Sequence, residues 1–219
     1  AGNSIILKPA STTPLTNLRL AGIYDEAGLP PGVLNVVTGS GAEVGEALVR
    51  NPGVSKISFT GSCNTGRRIR ELASVHAKDL TLELGGSDPM IVMEDASIDK
   101  AVEGALRGRF YNAGQTCTAV KRLYVHENIA GEFIQKLKGR VSDLNVGNGL
   151  GPKMDMGPLN SAEQRDRVEG MVDRTRERGD GIILTGGSVL RGKAYESGYF
   201  YHPTLVMDVA PDSCLVTEE

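Results

Sequence analysis

From residue 1 to about 86, short apolar runs alternate with stretches of helical periodicity, and the connections between them are only a few residues long. SIILKP is strand-like. LTNLRLAGIYDEAG follows with apolar residues at helical spacing and ends on Gly28, a C-cap residue. VLNVV, AEVGEALVRN, KISFTG, NTGRRIRELASVHA and LTLELGG continue the alternation. Strand, helix, strand, helix with such short links requires crossover connections, and so predicts a largely parallel sheet.

After Gly85-Gly86 the pattern restarts. PMIVMED reads as a strand. SIDKAVEGALRGRFYNA reads as a helix capped by Ser97, with Asp99 in its first turn. RLYVHE, IAGEFIQKLKGRV, the charged SAEQRDRVEGMVDRTRERG and the strand GIILTGG follow. The double glycine and the fresh strand at Pro89 set a boundary at residues 85–88. Residues 1–86 form one α/β unit and 87–219 a second. Both ends look cut, since the first residues enter a strand at once and CLVTEE stops without a helix cap or polar tail.

Composition excludes more than it identifies. Net charge is −3 over 219 residues, which gives no electrostatic reason to expect nucleic acid or an anionic membrane as partner. No apolar run approaches the ~20 residues of a membrane span, and the start lacks the features of a secretory signal. Cys63, Cys117 and Cys214 are odd in number and widely spaced. They indicate neither a disulfide framework nor a metal site, and a reducing, cytoplasmic compartment is expected.

Several residues stand out for chemistry. Gly39-Ser40-Gly41-Ala42-Glu43-Val44-Gly45 follows a strand and opens a helix, where backbone N–H groups can meet a phosphate; alone it is equally a plain turn. Phe59-Thr60-Gly61-Ser62 ends the next strand, and Cys63-Asn64-Thr65-Gly66 opens another helix. Two such turns at the carboxyl ends of parallel strands favour a nucleotide site. Lys8, in LKPAS, read alone is a surface lysine, but it shares that edge and could hold ribose hydroxyls or a phosphate.

Glu83 lies within the apolar run LTLELGG. It is either an outward-facing strand residue or a general base whose pKa is raised by burial. Cys117 follows Asn112-Ala113-Gly114-Gln115-Thr116 in a polar loop, with Lys121 and Arg122 close behind to favour a thiolate. Cys63 and Cys214 read instead as inert. None of His76, His126 or His202 has a comparable loop setting, so a Cys–His hydrolase dyad has little support.

In this order, LKPAS, PPGVLNVVTGSG, ISFTGS, LELGG, NAGQTC, DMGPL and the final EE resemble the aldehyde dehydrogenase superfamily over essentially the whole chain, with Glu83 thirty-four residues before Cys117. The resemblance implies a Rossmann-like parallel-sheet cofactor domain followed by a second α/β catalytic domain, truncated at both ends. It implies NAD(P)-dependent oxidation of an aldehyde to a carboxylic acid, with Cys117 as nucleophile and Glu83 activating the hydrolytic water. It places Lys8 and Ser11 at the adenosine ribose or its 2′-phosphate, and Gly41 and Gly45 along the adenine side. Gly61, Ser62, Thr65 and Gly66 fall near the pyrophosphate, Leu84 near the nicotinamide, and Glu219 at the nicotinamide ribose. A second oxyanion donor and an oligomerisation segment would lie outside residues 1–219.

Ser11 stands where NAD-preferring relatives often carry a glutamate, so NADP is favoured over NAD. Tyr111 stands where semialdehyde dehydrogenases often carry an arginine, which disfavours a dicarboxylic semialdehyde. The resemblance is to archaeal members acting on small hydroxyaldehydes such as glyceraldehyde or lactaldehyde. The complete protein is expected to be a homodimer or homotetramer. Two alternatives are a non-catalytic structural or binding fragment of this fold and a coenzyme A-acylating or phosphate-ester reductase cousin. Glu83 argues against the cousin, because a hydrolytic base is needed only when water is the acceptor.

Overall fold

A computed structural model describes residues 2–219. The chain divides between Leu84 and Gly85 into two compact units, both built of helices and mainly parallel strand pairs.

In the first unit β1 (Ile5–Leu7) pairs in parallel with β2 (Leu34–Val36), and α1 (Leu15–Glu26) connects them. Gly28 follows α1 at φ +84°, the left-handed conformation expected of a glycine past a helix end. β3 (Lys56–Gly61) pairs in parallel with β4 (Asp79–Leu84), and α3 (Cys63–Ser74) is the crossover. Side chains alternate across both strands. Ile57, Phe59, Leu80 and Leu82 pack against Val49, Ile69, Leu72 and Ala73 of the helices, while the opposite face is exposed. The helix expected over residues 42–51 is split. Gly41–Gly45 forms a π turn, and α2 (Glu46–Arg50) continues from it.

In the second unit β5 (Asp88–Val92) pairs in parallel with β6 (Val120–Val125) across α4 (Ile98–Phe110). α4 and α5 (Glu127–Ser142) bury Val102, Ala105, Leu106, Phe133, Leu137 and Val141 with Val92 in one apolar cluster. α6 (Ala162–Arg178) starts at Ser161, whose hydroxyl accepts from the Gln164 N–H at 3.2 Å, and ends at left-handed Gly179. β7 (Ile182–Thr185) pairs antiparallel with β8 (Leu205–Met207).

Three details differ from the sequence expectation. Ser97 occupies the N-cap position of α4, but its side chain makes no capping hydrogen bond. β8 was not foreseen, because its apolar run is only three residues long. CLVTEE contains a short helix, α7 (Cys214–Thr217), with Ser213 as its cap accepting from the Leu215 N–H. Ser213 supplies the cap, and it lies one residue before the segment that looked uncapped.

Candidate active site

Parallel pairing sends the ends of β1 and β2 to one edge, and the first group of candidates meets there. Lys8 Nζ donates to the Gly39 carbonyl at 3.3 Å and to the Pro9 carbonyl at 2.9 Å, and Ser11 Oγ donates to the same Gly39 oxygen at 3.2 Å. Gly39 has φ +145°, and a Cβ there would collide with the Val44 side chain, so the turn requires glycine. Ser40 caps the π turn. Its hydroxyl accepts from the Glu43 N–H at 3.1 Å and donates to the Glu43 carboxylate at 3.0 Å. Gly45 lies against the Lys8 stem, with room for a Cβ at 3.8 Å, and Gly41 has open space beside it. Pro9, Ala10, Ser11, Pro14, Thr38, Gly39 and Ser40 line a cavity of about 220 Å³ at this edge. Thr38 and Pro14 were not singled out in the sequence.

The second group lies at the carboxyl ends of β3 and β4. Ser62 caps α3, accepting from the Thr65 N–H at 3.3 Å, with the two hydroxyls 3.0 Å apart. Gly66 is buried, and a Cβ on it would lie 2.6 Å from Leu84 Cδ2. What the structure shows at Gly66 is therefore close helix–strand packing, with the Leu84 side chain filling the space. Gly61 is similarly covered by its own strand's Phe59 ring.

Glu83 departs from the burial argument. Its register partner is Thr60, and it shares the exposed face of β4 with Asp79 and Thr81 while Leu80, Leu82 and Leu84 turn inward. An apolar run that alternates in burial does not bury its acid.

Cys117 belongs to the second unit. α4 ends at Phe110, earlier than its periodicity implied. Asn112 (φ +52°), Ala113 (φ +55°) and Gly114 (φ +75°) then take left-handed conformations in succession. Cys117, three residues past that turn, is exposed, whereas Cys63 and Cys214 are only partly so. Lys121 and Arg122 are otherwise engaged: Lys121 Nζ donates to the Gly86 carbonyl at 2.6 Å and Arg122 Nε to the Ser87 carbonyl at 3.0 Å. Burial holds the Lys121 ammonium below its ordinary pKa, with nearby Glu219 pulling the other way. Both cations therefore serve the β5 edge. Glu219, exposed at the end of the described chain, sets its carboxylate over Gly85, where a Cβ would collide with it. The Arg109 guanidinium lies under Gly114, 3.0 Å from where a Cβ would stand, and burial lowers its pKa. Among the described residues no group of three or more His, Cys, Asp or Glu side chains could hold a metal ion, and no helix is long and apolar enough to cross a membrane.

The family model described as "Aldehyde dehydrogenase family" matches residues 1–219. The chain belongs to the aldehyde dehydrogenase family. It is 42% identical over 218 residues to the betaine aldehyde dehydrogenase of Brucella anthropi, covering 100% of this chain and 44% of that protein. It is 43% identical over 219 residues to the NADP(+) succinate-semialdehyde dehydrogenase GabD of Escherichia coli K12, with 100% of this chain and again 44% of the relative covered. Among solved structures, PnpE from Pseudomonas sp. WBC-3 matches with TM-score 0.95 and 42% identity, over 100% of this chain and 45% of that one. PnpE has also been solved with nicotinamide adenine dinucleotide. The chain thus spans a little under half the length of these relatives, and the fold is the mixed α/β arrangement of the family.

Proposed function

We propose that the protein carrying this chain oxidises an aldehyde to a carboxylic acid with NAD(P), through a covalent thioester on Cys117. The observation that carries the reading is the placement of Cys117: it is the exposed cysteine, delivered by a left-handed turn that ordinary helix geometry would not produce. Glu83 and the glycine turns of the first unit complete the proposed residue set, on the resemblance of LELGG, ISFTGS and PPGVLNVVTGSG to the family's motifs.

The cavity beside Lys8, Ser11, Gly39 and Ser40 suits the adenosine half of a dinucleotide. One cation and several hydroxyl groups surround a backbone turn that a side chain would block. Lys8 and Ser11 share the Gly39 carbonyl as acceptor, Lys8 donating to the Pro9 carbonyl as well, and both can turn their donors to ribose oxygens or a 2′-phosphate. That favours NADP, and relatives' names carry both NADP(+) and nicotinamide adenine dinucleotide. On the resemblance to the family's motifs, Gly41 and Gly45 would border the adenine side, Gly61, Ser62, Thr65 and Gly66 the pyrophosphate, Leu84 the nicotinamide and Glu219 its ribose. The nicotinamide supplies a hydride acceptor.

The Cys117 thiolate attacks the aldehyde carbon, forming a carbon–sulfur bond and an oxyanion that the Cys117 backbone N–H stabilises. Departure of the hydride from that carbon leaves a thioester on Cys117. Glu83 takes a proton from water as the water attacks the thioester; the acid departs and the thiolate is restored. The exposed setting of Glu83 suits a base that must meet water. Tyr111, 70% exposed at the loop's start, offers no cation to a second carboxylate, which argues against a dicarboxylic semialdehyde; on the resemblance to archaeal members, the substrate proposed is a small hydroxyaldehyde such as glyceraldehyde or lactaldehyde. The complete protein is proposed to work in the cytoplasm as a homodimer or homotetramer.

The test is NAD(P)H formation from a panel of aldehydes with the complete protein and its Cys117→Ser variant. Turnover by the parent and none by the variant supports the reading. Iodoacetamide inactivation with Cys63 or Cys214 labelled and Cys117 unmodified overturns it.

A further inference from the structure

The turn that presents Cys117 is held in an unfavourable conformation, and the atoms that hold it belong mainly to one side chain. Asn112 and Gly114 tolerate positive φ, but Ala113 at φ +55° does not do so freely, because its Cβ crowds the following carbonyl. A run of three left-handed residues persists only where the surroundings over-determine it.

Gln115 supplies those constraints from both ends of its amide. Its Nε2 donates to the Asn112 carbonyl at 3.1 Å, inside the turn, and its Oε1 accepts from the Asn160 N–H at 2.8 Å, 45 residues away. Its backbone is tied to the same turn: Gln115 N donates to the Asn112 carbonyl at 3.2 Å, and Asn112 Nδ2 donates to the Gln115 carbonyl at 3.3 Å. Asn160 immediately precedes Ser161, the cap of α6. The Ala113 methyl packs beside Leu159, Val172 and Tyr201, so the turn is also anchored on the α6 side by apolar contact.

We propose that Gln115 is the positioning residue for Cys117: its side-chain amide locks the left-handed turn 112–114 to the start of α6 and so fixes where the thiol stands. The purpose rests on the nucleophile reading above, but the clamp is a property of the loop and can be measured without turnover. The two hydrogen bonds use the acceptor and the donor of one amide, so a carboxylate at this position keeps the first and loses the second.

The experiment places a nitroxide spin label on Cys117 in the complete protein, with Cys63, Cys214 and any cysteine outside residues 1–219 replaced by serine, and compares Gln115→Met and Gln115→Glu with the parent. Gln115→Met keeps the length and removes both hydrogen bonds. It is expected to narrow the label's spectrum and to speed amide exchange at residues 113–117 by about tenfold or more. Gln115→Glu, retaining the acceptor for Asn160, is expected to lie between the two. A label as immobile in Gln115→Met as in the parent overturns the proposal, whatever happens to the melting temperature. Equal loosening by Glu and Met overturns the role of the Asn160 bond. Aldehyde oxidation that survives Cys117→Ser would remove the nucleophile reading and leave the label result standing, so the two failures are distinguishable.

Discussion

The two units position their functional groups by different means. In the first, regular secondary structure does the work. Parallel strands carry Lys8, the Gly39 turn, Ser62 and Leu84 to their carboxyl ends, and the apolar core beneath is small: Val49, Ile69, Leu72 and Ala73. Its helix α1 has no buried residue, and Leu15 is 77% exposed. In the second, a larger core led by Phe133 and Val141 packs α4 against α5. Cys117 follows an irregular turn that leaves the end of α4 and is bonded to the residue before Ser161 at the start of α6. Backbone geometry alone can hold a nucleotide, because many N–H groups share the task. A nucleophile needs one atom in one place, and on the proposed reading that atom depends on a few specific side-chain bonds.

The sharpest way to break this comparison is Cys117→Ser in the complete protein. Turnover should vanish while affinity for NAD(P), followed by calorimetry, stays within about twofold, since a thiol-to-hydroxyl change removes the nucleophile without removing volume. Loss of nucleotide binding together with turnover would mean that the two tasks are not separable.

Next in size is core truncation. Phe133→Ala, at 1% exposure, should cost about 3–5 kcal/mol in denaturant unfolding. Ile69→Ala, at 7% exposure against partly exposed strand residues, should cost near the lower end of about 2–5 kcal/mol. Equal costs would erase the contrast between the cores.

The same contrast explains what the sequence disclosed. Apart from β8 and α7, the strands, the helices and the glycine turns are legible because each follows from a period of two or 3.6 or from a residue with a single backbone use. Strand KISFTG coincides with β3. The π turn at Gly41–Gly45 was hidden because its pattern is that of any helix start. Of the two settings the sequence leaves open for Glu83, the structure shows the outward-facing one, because β4 is covered on one face only. The clamp of Gln115 on Asn160 joins residues 45 apart, and no local pattern encodes such a pair. Asn112 and Gly114 were the available signal, being the residues that accept positive φ.

A smaller effect is expected at the carboxyl edge of β1 and β2. Ser11→Glu puts a carboxylate into the wall of the cavity there, where the 2′-phosphate of NADP is proposed to sit. Like charges about 4 Å apart repel by roughly 4 kcal/mol at a surface-like dielectric before screening. Ser11 is exposed, so kcat/KM for NADP should fall by about ten- to a hundredfold relative to NAD once solvent screening is allowed for. A parallel fall for both cofactors, or a parent that ignores NADP, would contradict the reading of this edge.

The smallest change is Tyr201→Phe. The Tyr201 hydroxyl is buried without a hydrogen-bond partner among the described residues, and burial pushes its pKa up to about 12. A raised folded pKa means that the neutral phenol is favoured in the native state. Its contribution is fully present below the ordinary tyrosine range and lost as pH climbs from about 10 to 12. Stability of the phenylalanine variant should be within about 0.5 kcal/mol of the parent at pH 7 and should decline less between pH 10 and 12. An equally steep alkaline decline in the variant would assign that loss to another group.

The central claim, a thioester on Cys117 released by Glu83, is tested most directly by trapping the acyl group. Glu83→Gln keeps the side chain's shape but cannot accept a proton from water, and loss of a general base typically slows a step by about 10²–10⁴-fold. The complete variant, mixed with aldehyde and NADP and quenched in acid, is digested and its peptides weighed. A burst of NADPH close to one per active site, with the acyl mass on the peptide containing Cys117, is the predicted result. An acyl mass on Cys63 or Cys214, or slow turnover with no burst and Cys117 unmodified, would contradict the account.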